Sequence, residues 1–242
     1  MLTEAGDQAS QGLDIMIGSA SALKRQVFST QADIFGFGIA LFAWRGIAAK
    51  RFFRVLWLVP MMTTPSVMAI VWRSIFREDI GAANGVLKYL GIETIAWSTG
   101  VVPATFTIIL VEVWQWTPFM MLIILAGLQS QATDILEAAQ VDGASAWQLF
   151  SKMTLPHLKQ YIQLAIVLGT IYIVQSMDFV YTITQGGPGT DSTIIPYQIY
   201  LTMFRKYEYG EAAAAGVIVV LFTIVLANFA MRLTKDLLEA QK

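Results

Sequence analysis

Ala212–Met231 runs for twenty residues without a charge, the length a helix needs to cross the hydrocarbon of a bilayer. Arg232 and Lys235 close it. The pattern recurs in Val55–Trp72, uncharged but broken by Pro60 and Pro65, which would kink the helix, in Val101–Leu128, interrupted by Glu112, and in Leu164–Tyr181, which carries Asp178. Val27–Trp44 is a fifth candidate that contains Gln31 and Asp33, and a helix lying in the membrane interface is its other reading. A chain of 242 residues that is 56% apolar and 14% charged, with a mean hydropathy of +0.59, is too apolar for an ordinary soluble domain. The expected fold class is an all-α membrane protein, a polytopic helical bundle with five visible spans.

Orientation follows from the basic residues. Arg45, Lys50, Arg51 and Arg54 cluster between the first two spans and mark a cytoplasmic turn. Over the whole chain the sixteen Lys and Arg divide nine inside to seven outside, so this cluster decides the topology. Residues 1–26 read as an extramembrane leader without an assigned role and without the form of a cleavable signal peptide. Residues 27–242 form the transmembrane domain. Arg73–Gly100 is an external connection, Gln185–Gly189 an external turn, and Ile194–Phe204, with Tyr197 and Tyr200, a helix at the interface.

Several function classes drop out. The chain has no Cys and one His, so a disulfide framework, a Cys metal site and a His cluster are excluded, and no metal site is expected. No basic face points to nucleic acid. Gly186-Gly187-Pro188-Gly189 lacks the Lys-Ser/Thr of a phosphate-cradling loop. An enzyme would have only carboxylates and Tyr for its chemistry.

Two polar faces interrupt the spans. Glu112, Gln115 and Trp116 share one face at helical spacing, and Tyr172, Gln175, Asp178 and Tyr181 share another. A carboxylate at mid-membrane costs about 2.5–3.5 kcal/mol on insertion scales, so its retention needs a cavity or a partner helix. Carboxylates and amides pair with hydroxyls while Trp or Tyr covers a sugar ring, which makes these residues a candidate solute pathway. Hydrogen bonding between helices explains them equally well.

The loop at about 129–160 is polar and helix-prone. Gly143 interrupts it, Asp142 is positioned to cap a second short helix ending near Lys152, and Leu136, Ala139, Trp147 and Phe150 make one apolar side. Glu137, Asp142 and Lys152 keep that side out of lipid. It therefore calls for a protein partner. Glu137-Ala138-Ala139, Asp142-Gly143-Ala144, Phe150 and Leu155-Pro156 at this spacing resemble the EAA loop of permease subunits in bacterial binding-protein-dependent ABC importers. The chain departs from that pattern at Gln160, where Pro is usual, and at Met153, where Ile is frequent. Asp178-Phe179, Thr184-Gln185-Gly186-Gly187-Pro188, Thr193, Tyr197, Tyr200, Asn84 after Gly81, and Tyr209-Gly210 resemble the sugar-type subgroup, of the maltose/glycerol-phosphate kind.

The resemblance runs from about residue 40 to the end. It implies a type I ABC importer permease in the inner membrane that forms a translocation pathway for a sugar, polyol or related solute with a second homologous permease subunit. Two ATP-binding cassette subunits would use ATP and Mg on the cytoplasmic side, this chain binding no cofactor itself, and an extracytoplasmic solute-binding protein would deliver the solute. Glu137, Ala138, Ala139, Asp142, Gly143, Trp147, Phe150, Leu155 and Pro156 would couple the chain to the ATPase. The family core has six spans, so a helix before residue 27 is expected, with residues 1–26 as the loop after it. A solute channel or regulatory membrane subunit independent of an ATPase is the alternative.

Overall fold

The computed structural model describes residues 57–239 together with Gly38. The leader, the Val27–Trp44 span apart from Gly38 and the Arg45–Arg54 turn lie outside the described residues. Every regular element among the described residues is helical. After helical residues 57–62, at the start of the described stretch, come α1 (Pro65–Ile75), α2 (Ala82–Tyr89), α3 (Val101–Gln129), α4 (Thr133–Val141), α5 (Ala146–Leu149), α6 (Leu155–Gln175), α7 (Ile195–Phe204) and α8 (Tyr209–Glu239). Phe150–Thr154 and Val180–Thr184 are π-helical turns.

Val101–Gln129 is, among the described residues, the helix that is long and apolar enough to cross a bilayer, and Tyr209–Val225 is a shorter apolar stretch within α8. Helix α3 continues through Pro118, and the Thr117 hydroxyl bonds back to the Val113 carbonyl at 2.6 Å. The Val55–Trp72 span behaves differently. Instead of one kinked helix, the chain stops at residue 62 and restarts at Pro65, with Thr64 extended at φ −67° and ψ 130°. Proline disfavours the helical conformation for the residue before it and suits the first turn of a new helix, so Pro65 gives a break rather than a bend, while Pro60 lies within the helical stretch before it.

The Leu164–Tyr181 span is also redrawn. Its helix starts much earlier and ends at Gln175, and the chain leaves helical geometry at Ser176 and Met177 before the second π turn. The expected external connection contains α2, whose Asn84 is buried.

Two apolar clusters hold the bundle. Ala69 of α1 and Phe76, the residue that caps it, meet Ile108 and Val111 of α3, the Phe179–Ile183 segment and Tyr197. Met121, Ile124, Leu125 and Leu128 of α3 pack on Leu158 of α6. Helix α8 lies against α6 and α7, and much of it exposes large apolar side chains such as Val217, Leu221 and Val225.

Candidate functional site

Helix α4 ends in a Schellman arrangement. The Gly143 N–H donates to the Gln140 carbonyl and the Ala144 N–H to the Ala139 carbonyl, each at 3.0 Å, while Gly143 has φ +85°. Asp142 is therefore the carboxyl-terminal cap of α4, a correction to its expected place at the start of the next helix. That place belongs to Ser145. Its hydroxyl accepts from the Gln148 N–H at 3.3 Å, and the Gln148 side chain accepts from the Ser145 N–H at 2.8 Å, a reciprocal capping box.

From Ala146 the chain is helical without interruption through the π turn and α6 to Gln175. No separate short helix ends near Lys152, and Leu155-Pro156 lies inside a continuous rod. Pro156 supplies no N–H, and its ring would crowd the Lys152 carbonyl in a regular α-helix. Widening the preceding turn removes that conflict, and the Leu155 N–H reaches back to the Phe150 carbonyl.

The base of the rod is clamped to α3. The only His, His157, places Nε2 3.1 Å from the Gly127 carbonyl and 3.0 Å from the Ser130 hydroxyl, which lies 2.8 Å from the Tyr161 hydroxyl. Beyond the clamp, α4 buries no residue. Glu137 and Ala138 are exposed and Ala139 half-buried. Trp147 is 73% exposed with its ring 5.8 Å from that of Phe150, and Val141 is 88% exposed. Asp142, Gly143, Ala144, Gln148, Lys152 and Met153 line an open cavity of about 430 Å³ in the crook of the loop.

The two polar faces meet at one place. Trp116 stacks on Tyr172, centroids 5.2 Å apart and planes 22° apart, with Phe119 edge-on to Tyr172. Glu112 and Gln115 are buried beside Trp116 on α3. The second face does not stay together, because the helix ends before Asp178. Gln175 is exposed at the end of α6, Asp178 accepts a hydrogen bond from the Ser66 hydroxyl of α1, and Tyr181 joins Tyr197 and Tyr200 in edge-on contacts.

Residues 34–240 match the family described as the binding-protein-dependent transport system inner membrane component. The chain belongs to this family. A probable ABC transporter permease protein of Sinorhizobium fredii, y4oQ, is 41% identical over 175 residues, covering 72% of this chain and 56% of that protein. The trehalose/maltose transport system permease protein MalF of Thermococcus litoralis is 33% identical over 196 residues, covering 81% and 65%. The chain thus spans 56% and 65% of the length of these two curated relatives. Among solved structures, a bacterial ABC transporter involved in the import of the acidic polysaccharide alginate superposes with a TM-score of 0.82 at 20% identity over 92% of this chain and 79% of that chain. The fold is that of a type I ABC importer permease.

Several residues that organise this permease fold carry little sequence signal. Asn84 fills all four hydrogen-bonding positions of its amide: Nδ2 donates to the carbonyls of Glu78 and Ile95, and Oδ1 accepts from the Ile95 N–H and Trp97 Nε1. Glu78 Oε1 accepts from the N–H and hydroxyl groups of both Ser98 and Thr99. Partial burial works to raise the Glu78 pKa, but the hydrogen bonds from Thr99 and Ser98 outweigh it and hold the carboxyl below its ordinary range. Together these bonds tie the connection before α3 to the head of that helix. Gly81 three residues before Asn84 was the one hint of this hub. The Ser130–His157–Tyr161 clamp left none, because its members lie twenty-seven and thirty-one residues apart.

Proposed function

We infer that this chain is the membrane-spanning subunit of an ATP-driven importer for a sugar, polyol or related solute, and that residues 27–242 act as one permease domain. The carrying observation is the unburied α4–α5 turn joined by an unbroken rod to α6. An exposed amphipathic element with charges among its apolar groups fits a protein groove, and a rod clamped to α3 transmits displacement of that element into the spans. The family description, with its dependence on a binding protein, supports the same reading.

In this reading the cytoplasmic turn docks on one of two ATP-binding cassette subunits. Trp147 and Phe150 anchor it, Glu137 meets a basic group, Ala138 and Ala139 permit close approach, Asp142 and Gly143 fix the turn, and Leu155-Pro156 sets the widened turn below it. ATP and Mg are used by those partners, and this chain supplies no catalytic residue. A second homologous permease subunit completes the pathway in the inner membrane, and an extracytoplasmic binding protein delivers the solute. Glu112, Gln115, Trp116 and Tyr172 are the pathway residues that lie together, with Trp116 and Tyr172 offering ring faces to a sugar. Gln175, Asp178 and Tyr181 stand further along the same route. Affinity changes across the cycle only through contacts that differ between the two states.

Co-purification tests the reading. Wild-type chain is expected to assemble with ATPase and permease subunits and to support ATP hydrolysis stimulated by the binding protein, whereas Glu137→Ala/Gly143→Pro loses the ATPase subunit and remains folded. Assembly and hydrolysis indifferent to both substitutions would overturn the coupling role and favour a channel.

A further inference from the structure

The break between residue 62 and Pro65 interrupts the helical ladder, and the Pro60 carbonyl takes the Thr63 N–H at a long 3.4 Å. Water satisfies such groups at a surface, but at membrane depth broken backbone persists only where protein or a water-filled cavity meets it. Here one side chain from another helix supplies further donors. Gln115 Nε2 donates to the Pro60 carbonyl at 2.6 Å and to the Thr63 carbonyl at 3.2 Å. The Thr63 hydroxyl adds a bond to the same Pro60 carbonyl at 2.7 Å. Both partners of Gln115 are acceptors, so the orientation of its amide is fixed by chemistry.

That orientation has a consequence for the other end of the amide. Gln115 is 3% exposed, and among the described residues its Oε1 has no hydrogen-bond partner. A buried amide oxygen left unpaired is unfavourable, and such an atom calls for a physical reason. The second break, at Ser176–Met177, adjoins the first. Asp178 is bonded to Ser66 of α1, and α1 packs on the Val180–Thr184 turn. The second break thus meets α1, whose own start is the first break, and one half-satisfied glutamine holds that first break.

We propose that residues 62–64 are a hinge and that Gln115 is its latch, holding the break in the bent form seen here and exchanging partners when the hinge moves. In the second state Oε1 gains a donor and the Pro60 and Thr63 carbonyls are released from Nε2. This rests on the alternating-access reading above. Gln115 is a positioning residue in this device: it acts through the backbone of the broken helix.

The absence of Cys allows two labels to be placed cleanly on the exposed Val59 and Ile70, on either side of the break, in the full complex reconstituted in liposomes. Spin-label distances are measured with and without ATP and Mg. Two distance populations are expected whose ratio responds to ATP, and Gln115→Leu shifts that ratio about tenfold or more toward the ATP-favoured population without nucleotide. A ratio within about twofold of wild type in Gln115→Leu, or one unchanging distance in the wild type, overturns the latch. Two populations that respond to Gln115→Leu but not to ATP keep the latch and sink the importer reading.

If Gln115→Leu does not accumulate, Pro65→Ala/Gln115→Leu decides. Without Pro65, Thr64 can re-enter the helix and donate its own N–H to the Pro60 carbonyl, so the double variant is expected to recover and to show one distance insensitive to ATP. No recovery overturns the proposal.

Discussion

Asn84 and Glu78 show how much one side chain can organise when a connection has no regular hydrogen-bond ladder. Asn84 is 1% exposed and fully paired, so Asn84→Leu leaves the Ile95 N–H, Trp97 Nε1 and two carbonyls without their partner. At about 1–3 kcal/mol for a buried group left unsatisfied, the loss is expected to be about 3 kcal/mol or more, read as a lower midpoint in thermal unfolding of the detergent-solubilised chain. Glu78 gives a pH dependence of known sign. Its folded pKa is depressed, so its stabilisation is complete above the ordinary Glu pKa of about 4.3 and is lost as pH falls through the lower folded value. The susceptibility of 76–100 to limited proteolysis should rise across that acid window, and Glu78→Gln should remove this part of the pH dependence while lowering stability at neutral pH.

At the scale of elements, the proposed coupling turn depends on two conformational choices. Gly143 holds φ +85°, where a side chain costs about 1 kcal/mol, and Ser145 caps α5 at a similar value of about 1 kcal/mol. Gly143→Ala and Ser145→Ala should each leave the spans folded and lower stimulated ATP hydrolysis, and the pair should do so additively or worse; unchanged hydrolysis in both would mean the turn's shape is irrelevant to coupling. The position of this turn was legible because Glu137, Gly143, Phe150 and Pro156 lie in a polar, helix-prone stretch between apolar runs, at a spacing that resembles the EAA loop. Its internal wiring was not. Asp142 and Ser145 are both good caps, and only the backbone shows that Asp142 closes one helix while Ser145 opens the next. Likewise the uncharged runs located the spans, while Pro60 and Pro65 could not reveal whether a helix bends or breaks. Nor could the local sequence reveal that Gln115, fifty-five residues from Pro60, donates to the Pro60 carbonyl beside the break, or that packing between α3 and α6 stacks Trp116 on Tyr172.

At the scale of the whole molecule, under the proposed coupling, force applied at the α4–α5 turn reaches the proposed pathway only if α6 and α3 move as one body, and Gly127 sets how closely they lie. A Cβ there would stand 2.5 Å from Tyr161 Cδ2, 2.6 Å from Tyr161 Cγ and 2.9 Å from Leu158 Cδ2. The ring root cannot swing aside freely, because Cγ sits next to the backbone and the hydroxyl is engaged with Ser130. Gly127→Ala must therefore push the helices apart, an overpacking cost of about 1–3 kcal/mol. Tyr161→Ala removes the obstructing ring and opens a cavity of its own, so both single variants should be destabilised. Combined, the new methyl fits the space the ring vacated, and the double variant should be more stable than the sum of the singles predicts by about 1 kcal/mol or more. The same cycle read in stimulated ATP hydrolysis separates packing from transmission. If Gly127→Ala lowers coupling and Gly127→Ala/Tyr161→Ala restores stability without restoring coupling, the motion passes through the Tyr161–Ser130–His157 clamp; if coupling returns with stability, close approach of the two helices is sufficient to carry it.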